Sequence, residues 1–379
     1  MKYTLMIPGP VEVPEEILEA FSGQPVAHYG HQWSKLYLET AAGVSNIIAC
    51  NGRTFLMPGS GSLGLDTVAS TFCREKKCLV LNNGMFGQRL YEIVSRYTAE
   101  VEFLNFPLGI AADPEQVKKA LGVKSFDVIL FTHVETSTGI LNPVFEIANV
   151  AKKYGAMVIL DAVSSAGIEE LKTDVWGIDA VVTASQKGFE CPAGLGIVTV
   201  KKNLIPYIPK INAKTWYTDL GVWCDYYERW HDWHPFPVTL PTNVILALSK
   251  SIEAFKKEGV KNRNEMYKDV TKRLRKALGA LGLKLFSPDA QAAHGLTAAS
   301  TNGKFDPSRL VDYLKEIFGI QITGSFGSIK SEVFRIGHMS RKQCRMENLV
   351  TLINGVALFM KSCGQSVSMD EAVSILLET

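Results

Sequence analysis

Lys187 and Asp161 are the two residues of this chain best able to do chemistry as a pair. The lysine lies in Thr183-Ala184-Ser185-Gln186-Lys187-Gly188, and the aspartate closes the apolar run Val158-Ile159-Leu160-Asp161. A carboxylate at the mouth of one strand and an amine at the mouth of another suit an enzyme that holds pyridoxal phosphate. The amine would condense with the aldehyde, and the carboxylate would pair with the pyridinium nitrogen, which makes the ring an electron sink. Taken singly, each residue also has an ordinary reading: a solvated lysine after a strand, and an aspartate capping the next helix.

Further motifs bear on that choice. Met57-Pro58-Gly59-Ser60-Gly61-Ser62-Leu63-Gly64 follows a short apolar run and opens a helix, so backbone amides and two hydroxyls can cradle a phosphate. Gly59-x-Gly61-x-x-Gly64 also matches the dinucleotide fingerprint, but the next strand ends in Asn82-Asn83 where a ribose-binding acid is needed. That weakens an NAD-dependent dehydrogenase, the reading from a different class. In Asn83-Gly84-Met85-Phe86-Gly87-Gln88-Arg89, Phe86 can stack on a heteroaromatic ring or simply pack in a core. His133-Val134-Glu135-Thr136-Ser137-Thr138-Gly139 brings hydroxyls to the same sheet edge. Arg335, in Phe334-Arg335-Ile336-Gly337, is a cation in apolar company that needs an anion, either a substrate carboxylate or an internal salt bridge. His231-Asp232-Trp233-His234 lacks metal-ligand spacing, no HExxH occurs, and no metal site is expected. No GxSxG elbow supports a hydrolase.

These residues need a scaffold. Apolar runs at 78–81, 101–104, 128–131, 157–160, 180–183 and 196–200 read as buried strands, with helical spacing at 113–121 and 144–154 between them. Such alternation predicts an α/β fold with a large, mostly parallel sheet, whose strand ends collect ligands. Residues 203–242 carry Trp216, Trp223, Trp230 and Trp233 among several tyrosines, and read as a packed connection or a subunit contact. One long helix is expected from 243 to 277. Beyond it, a strand at 294–300, a helix at 307–317 and a helix at 342–360 make a smaller C-terminal α+β domain. The expected bounds are 15–255 for the large domain and 256–379, with 1–14, for the small one.

The bulk properties exclude several classes. The 379 residues carry 40 Lys and Arg against 38 Asp and Glu, so no global charge favours nucleic acid or a membrane. Seven scattered cysteines form no CxxC pair, and no apolar run reaches membrane-spanning length. A cytoplasmic enzyme is the expectation.

Read in order, Pro8-Gly9-Pro10, Gly59-Ser60-Gly61, Asn83-Gly84, Gly87-Gln88-Arg89, Glu135 to Gly139, Asp161 to Ser165, Ser185-Gln186-Lys187 and Phe334 to Gly337 resemble a fold-type I, class V aminotransferase. The similarity is greatest to the alanine–glyoxylate and serine–pyruvate aminotransferases. The resemblance implies pyridoxal phosphate held as a Schiff base on Lys187, with Asp161 on the ring nitrogen. It places Phe86 and Val163 on the two ring faces, Ser60, Gly61, Ser62 and Gln186 on the phosphate, and Ser137 beside the ring hydroxyl and the substrate. Arg335 would bind the substrate carboxylate. It further implies a homodimer in which the partner subunit completes the phosphate site through the segment Phe236-Pro237-Val238-Thr239, with Thr239 as the contact. Phe236 departs from a common tyrosine there, and Ser62 from a common histidine. The substrates implied are a small amino acid, alanine or serine, and a 2-oxo acid such as glyoxylate or pyruvate. The 2-aminoethylphosphonate–pyruvate and pyridoxamine–pyruvate aminotransferases are the alternatives. Cysteine desulfurase is set aside because Cys344 and Cys363 are both expected in a helix.

Overall fold

Seven apolar stretches hydrogen-bond into one sheet in the computed structural model, which describes residues 3–211 and 213–378. The outermost residues of the expected domain bounds, at 1–2 and 379, lie outside the described residues. The strands are β1 (Gly52–Gly59), β2 (Cys78–Asn82), β3 (Val101–Asn105), β4 (Val128–Thr132), β5 (Met157–Asp161), β6 (Ala180–Ala184) and β7 (Gly194–Lys201), in the spatial order β1-β7-β6-β5-β4-β2-β3. β2 to β6 pair in parallel, whereas β7 runs antiparallel to both of its neighbours. Every residue of β4 and β6 is buried, which is why these runs show no polar alternation: both sheet faces are covered.

The covering helices are α1 (Glu15–Ser22), α2 (His31–Ile47), α3 (Gly61–Phe72), α4 (Met85–Val94), α5 (Pro114–Val123) and α6 (Val144–Lys153). α5 starts where the sequence signals a start, with Asp113 accepting the Glu115 N–H at 2.9 Å and proline in the first turn. α3 lies unusually close to the sheet. A Cβ on Gly64 would stand 2.6 Å from Val182 Cγ1 of β6, so only glycine lets the helix settle there. That contact places the N-terminus of α3 over the ends of β5 and β6.

The single helix expected over 243–277 is two helices, α7 (Thr242–Glu258) and α8 (Val260–Ala280). Gly259 breaks it, with φ +84°, a backbone region open to a residue without Cβ. Helical periodicity runs through the break, so apolar spacing alone does not reveal it. α7 gives Ile245, Leu248 and Phe255 to the core around the large sheet, and α8 gives Tyr267, Val270 and Leu274 to a second core.

The second core also holds Met6, Leu296, Phe334 and Ile353. Its sheet is antiparallel: β8 (Lys284–Leu285), β9 (Leu296–Ser300), β10 (Thr323–Gly324) and β11 (Val333–Gly337), ordered β8-β9-β11-β10. α9 (Pro307–Phe318) and α10 (Met346–Ser362) pack on it. α10 begins later than expected because Gln343 Oε1 accepts the Met339 and Ser340 N–H groups and holds a turn instead. Cys344 is therefore buried in that turn and Cys363 caps the end of α10, so neither lies inside a helix. Thr4–Leu5 pairs in parallel with Ile320–Gln321, which strings Ile7 to Pro10 between the two bodies. No helix among the described residues is long and apolar enough to cross a membrane.

Candidate active site

Two strand ends set the site. Asp161 is the last residue of β5, and Lys187 follows β6 by three positions. Asp161 Oδ1 accepts the Val163 N–H at 2.9 Å, which fixes the carboxylate at the strand mouth. Burial pushes its carboxyl up to about 6, opposed by that hydrogen bond and by the charges of Lys187 and Arg89. The Lys187 amine is pulled down to about 8, first by burial and then by the Arg335 charge. A share of it is therefore neutral near physiological pH, as a nucleophile or proton carrier must be. Its Nζ donates a hydrogen bond to the Pro8 carbonyl, so the strap between the two bodies lies directly on the amine.

Around these residues is a cavity of about 370 Å³, lined among others by Ser60, Gly61, Ser62, Phe86, Arg89, Val163 and Gln186. Ser60 sits at the N-cap of α3 but makes no capping hydrogen bond with its side chain; its carbonyl accepts the Leu63 N–H at 2.9 Å, and the Gly61 and Ser62 amides have no partner within the helix. Gln186 Oε1 is buried and unpaired. The floor is tight, since a Cβ on Gly61 would meet Val163 Cγ2 at 2.7 Å. A second cavity of about 350 Å³ shares Gly9, Phe86, Thr136 and Lys187 with the first and leads to Arg335.

Arg335, on β11, is 3% exposed. Its Nε and Nη2 donate to the Gly324 carbonyl at 3.0 and 2.8 Å, and its Nη1 to the Thr136 carbonyl at 3.0 Å. The Phe326 ring centroid lies 4.5 Å from the guanidinium carbon. These hydrogen bonds go to carbonyl oxygens rather than to a carboxylate, so the side chain is aimed at the cavity with its charge uncancelled. Burial lowers it to about 10, and Glu135 is the one acid that opposes the shift.

Most of the expected residues thus converge, with two exceptions. Ser137 turns away: its hydroxyl donates to Glu135 Oε1 at 2.5 Å and accepts the Met85 N–H at 3.0 Å. Thr136 lines both cavities instead and donates to Ser164 Oγ at 2.6 Å. Glu135 is itself buried against the start of α4, accepting the Phe86 and Gly87 N–H groups. The other exception is Thr239, which is exposed and lines neither cavity of its own chain. Phe236 is buried, with the Tyr37 and His234 rings at 4.9 and 4.4 Å, and acts as core.

Arg89, Thr136 and Ser164 had no assigned role in the sequence. Arg89 was detectable: it lies one turn from Phe86 on α4, and its guanidinium sits 4.9 Å from that ring. A larger cavity, about 570 Å³, opens near Arg53 and Tyr227, but no amine–carboxylate pair faces it. Chemistry, not volume, selects the site.

The Aminotransferase class-V family model matches residues 10–346. The chain belongs to the class-V aminotransferase family. It is 32% identical to an uncharacterised aminotransferase of Methanocaldococcus jannaschii, over 100% of this chain and 98% of the relative. It is 28% identical to the (S)-ureidoglycine–glyoxylate transaminase of Bacillus subtilis, over 99% and 94%. The crystal structure of a ureidoglycine–glyoxylate aminotransferase from that organism matches with TM-score 0.91, covering 99% of this chain and 97% of that one. Alanine–glyoxylate aminotransferase 1 of Saccharomyces cerevisiae is 28% identical over 95% of each chain. The protein is accordingly a transaminase, and its family implies pyridoxal phosphate as the cofactor.

The residues of this aminotransferase fit that group. The free Ser60 hydroxyl and the bare Gly61 and Ser62 amides suit a phosphate, and the Asp161 carboxylate suits a ring nitrogen. Gly9 guards the amine, with φ +111° and Lys187 Cδ, Cε and Nζ each 2.6 Å from where its Cβ would be. Gly9→Ala is therefore expected to displace Lys187 and lower the fraction of protein that links the cofactor covalently by about tenfold. Borohydride reduction followed by mass measurement checks this; full labelling would show that the strap moves aside freely.

Proposed function

We propose that this aminotransferase moves an amino group from a small amino acid, alanine or serine, to a 2-oxo acid such as glyoxylate or pyruvate. One observation carries the reading: Lys187 stands where two cavities meet, with Asp161 and the α3 N-terminus in one and Arg335 in the other. When bound, the cofactor supplies an electron sink for charge that develops at the substrate Cα. Lys187 holds the cofactor and then moves the Cα proton, as base and afterwards as acid. Asp161 keeps the ring nitrogen protonated. Phe86, held by Arg89, covers one ring face and Val163 the other. Ser60, Gly61, Ser62 and Gln186 hold the phosphate, and Arg335 grips the substrate carboxylate. Thr136 takes the wall position that had been expected of Ser137. The donor and acceptor follow from the glyoxylate relatives and from a substrate cavity whose lining includes Ile7, Phe86, Ile322 and Phe326, with Arg335 as its binding cation.

The visible spectrum tests the proposal. Pyridoxal phosphate should give the protein the absorption band of a lysine-linked cofactor. Alanine or serine should discharge that band, and glyoxylate or pyruvate should restore it. Discharge only by 2-aminoethylphosphonate or by pyridoxamine would replace the substrates with those of the alternatives. Hydride transfer to NAD without a band would replace the chemistry.

Cofactor affinity should depend on pH through Asp161. The carboxyl, held near 6, must be ionised to pair with a protonated ring nitrogen. Affinity is expected to be level above pH 6 and to fall by up to about tenfold per unit below it. Asp161→Asn should be weaker throughout and lack this inflection, as measured by cofactor titration.

The proposal extends to a cytoplasmic homodimer with domains at 15–255 and at 256–379 plus 1–14. Thr239 is exposed, and so are Tyr29, Trp216, Trp230 and Trp233, which supports a partner subunit covering this face and reaching a phosphate. Sedimentation of the loaded protein checks the dimer.

A further inference from the structure

Glu190 lies three residues beyond Lys187 and is fully buried. Its φ is +58°, a backbone region that costs a non-glycine residue energy, and its N–H closes a tight turn on the Lys187 carbonyl at 2.8 Å. The carboxylate emerging from that turn reaches across to the other body. Oε2 accepts Arg341 Nε at 2.8 Å, and Oε1 accepts the Arg341 backbone N–H at 2.5 Å. Arg341 follows β11, the strand that carries Arg335. Two hydrogen bonds therefore fasten the amine-bearing turn to the segment that bears the carboxylate-binding arginine.

The fastening is itself braced. The remaining nitrogens of Arg341 pair with Glu258 at 2.7 Å and Glu16 at 2.9 Å. Arg263 reaches Glu258 at 2.7 Å and Glu190 at 3.4 Å, spanning the Gly259 break between α7 and α8. Glu190 and Arg263 side chains have no exposed surface, so each depends on the other ions for compensation. Such a cluster has few alternative arrangements, because displacing one member strands a buried charge in its partner.

We infer that Glu190 is a positioning residue, which sets the spacing between Lys187 and Arg335 through Arg341. It touches neither substrate nor cofactor. The amine must sit at the Cα proton while Arg335 holds the carboxylate a short distance away, and a misplacement of about 1 Å can cost roughly a hundredfold. The inference rests on the roles proposed above for Lys187 and Arg335.

Glu190→Gln keeps the shape and removes the charge, and Arg341→Lys keeps the charge and removes the fork. In the cofactor-loaded protein each is expected to raise KM for both substrates about tenfold, with a smaller change in kcat. Each should weaken binding of propionate, a carboxylate that cannot react, by a similar factor while the cofactor dissociation constant stays within about twofold. The double variant should be no worse than the poorer single one, because both cut the same connection. If either variant melts at a lower temperature yet keeps KM and propionate affinity within about twofold of the parent, Glu190 only stabilises the fold and the inference fails. Parent protein without any transamination would instead overturn the proposed function.

Discussion

Lys187→Ala is expected to abolish transamination, with turnover falling by about 10⁴-fold or more. The side chain has two jobs that no neighbour can assume. Its amine is the one placed where the two cavities meet, and it is tuned to about 8 by burial and by Arg335. Arg89 and Arg335 are the other cations lining these cavities, and neither carries an amine that could condense with an aldehyde. Cofactor should still enter the variant, because the α3 N-terminus, Gln186 and Asp161 are untouched. The visible band of the lysine-linked form should be missing, and borohydride should leave the protein unlabelled. Retained steady-state turnover would remove Lys187 from the centre of the chemistry.

Arg335→Ala should act on a different quantity. KM for the amino donor and for the 2-oxo acid is expected to rise about 10²-fold, the loss of a charge-assisted, two-point contact with a carboxylate. The cofactor dissociation constant should change little, because Arg335 lines only the second of the two cavities and not the one that holds Asp161 and the α3 N-terminus. Some stability should be lost as well, since the guanidinium also ties the Gly324 and Thr136 carbonyls together. The two effects separate experimentally: Arg335→Lys should recover part of the melting temperature but little of the affinity, because an ammonium lacks the planar fork. A variant that melts earlier with KM unchanged would make Arg335 a tie between carbonyls.

Lys187 and Asp161 were legible because each follows a continuous apolar run, and in a parallel sheet such runs end where ligands gather. Arg335 was legible for a related reason, a lone cation among apolar neighbours. Other parts left weaker traces. Ser137 and Thr136 are adjacent and both bear hydroxyls, and the turn after β4 alone decides which one faces the cavity. Gly259 interrupts a helical pattern that continues on both sides of it. The Glu190–Arg341 connection joins residues far apart in the chain, and a charged pair at that separation has no local signature. Fold class and the residues at the strand ends follow from local patterning; strand order, the turns and the long-range ion pairs depend on contacts between distant parts of the chain.

The antiparallel strand β7 has a consequence for biogenesis. β1 has no neighbour in the sheet except β7, and the register sets Gly59 against Gly194. A nascent chain that has emerged as far as β6 still has β1 without a strand partner, and only the packing of α3 on β6 holds that part of the chain to the sheet. Closing the sheet over β1 therefore waits on a contact between distant parts of the chain. Until the ribosome has released β7, the emerging polypeptide carries an open strand edge on β6.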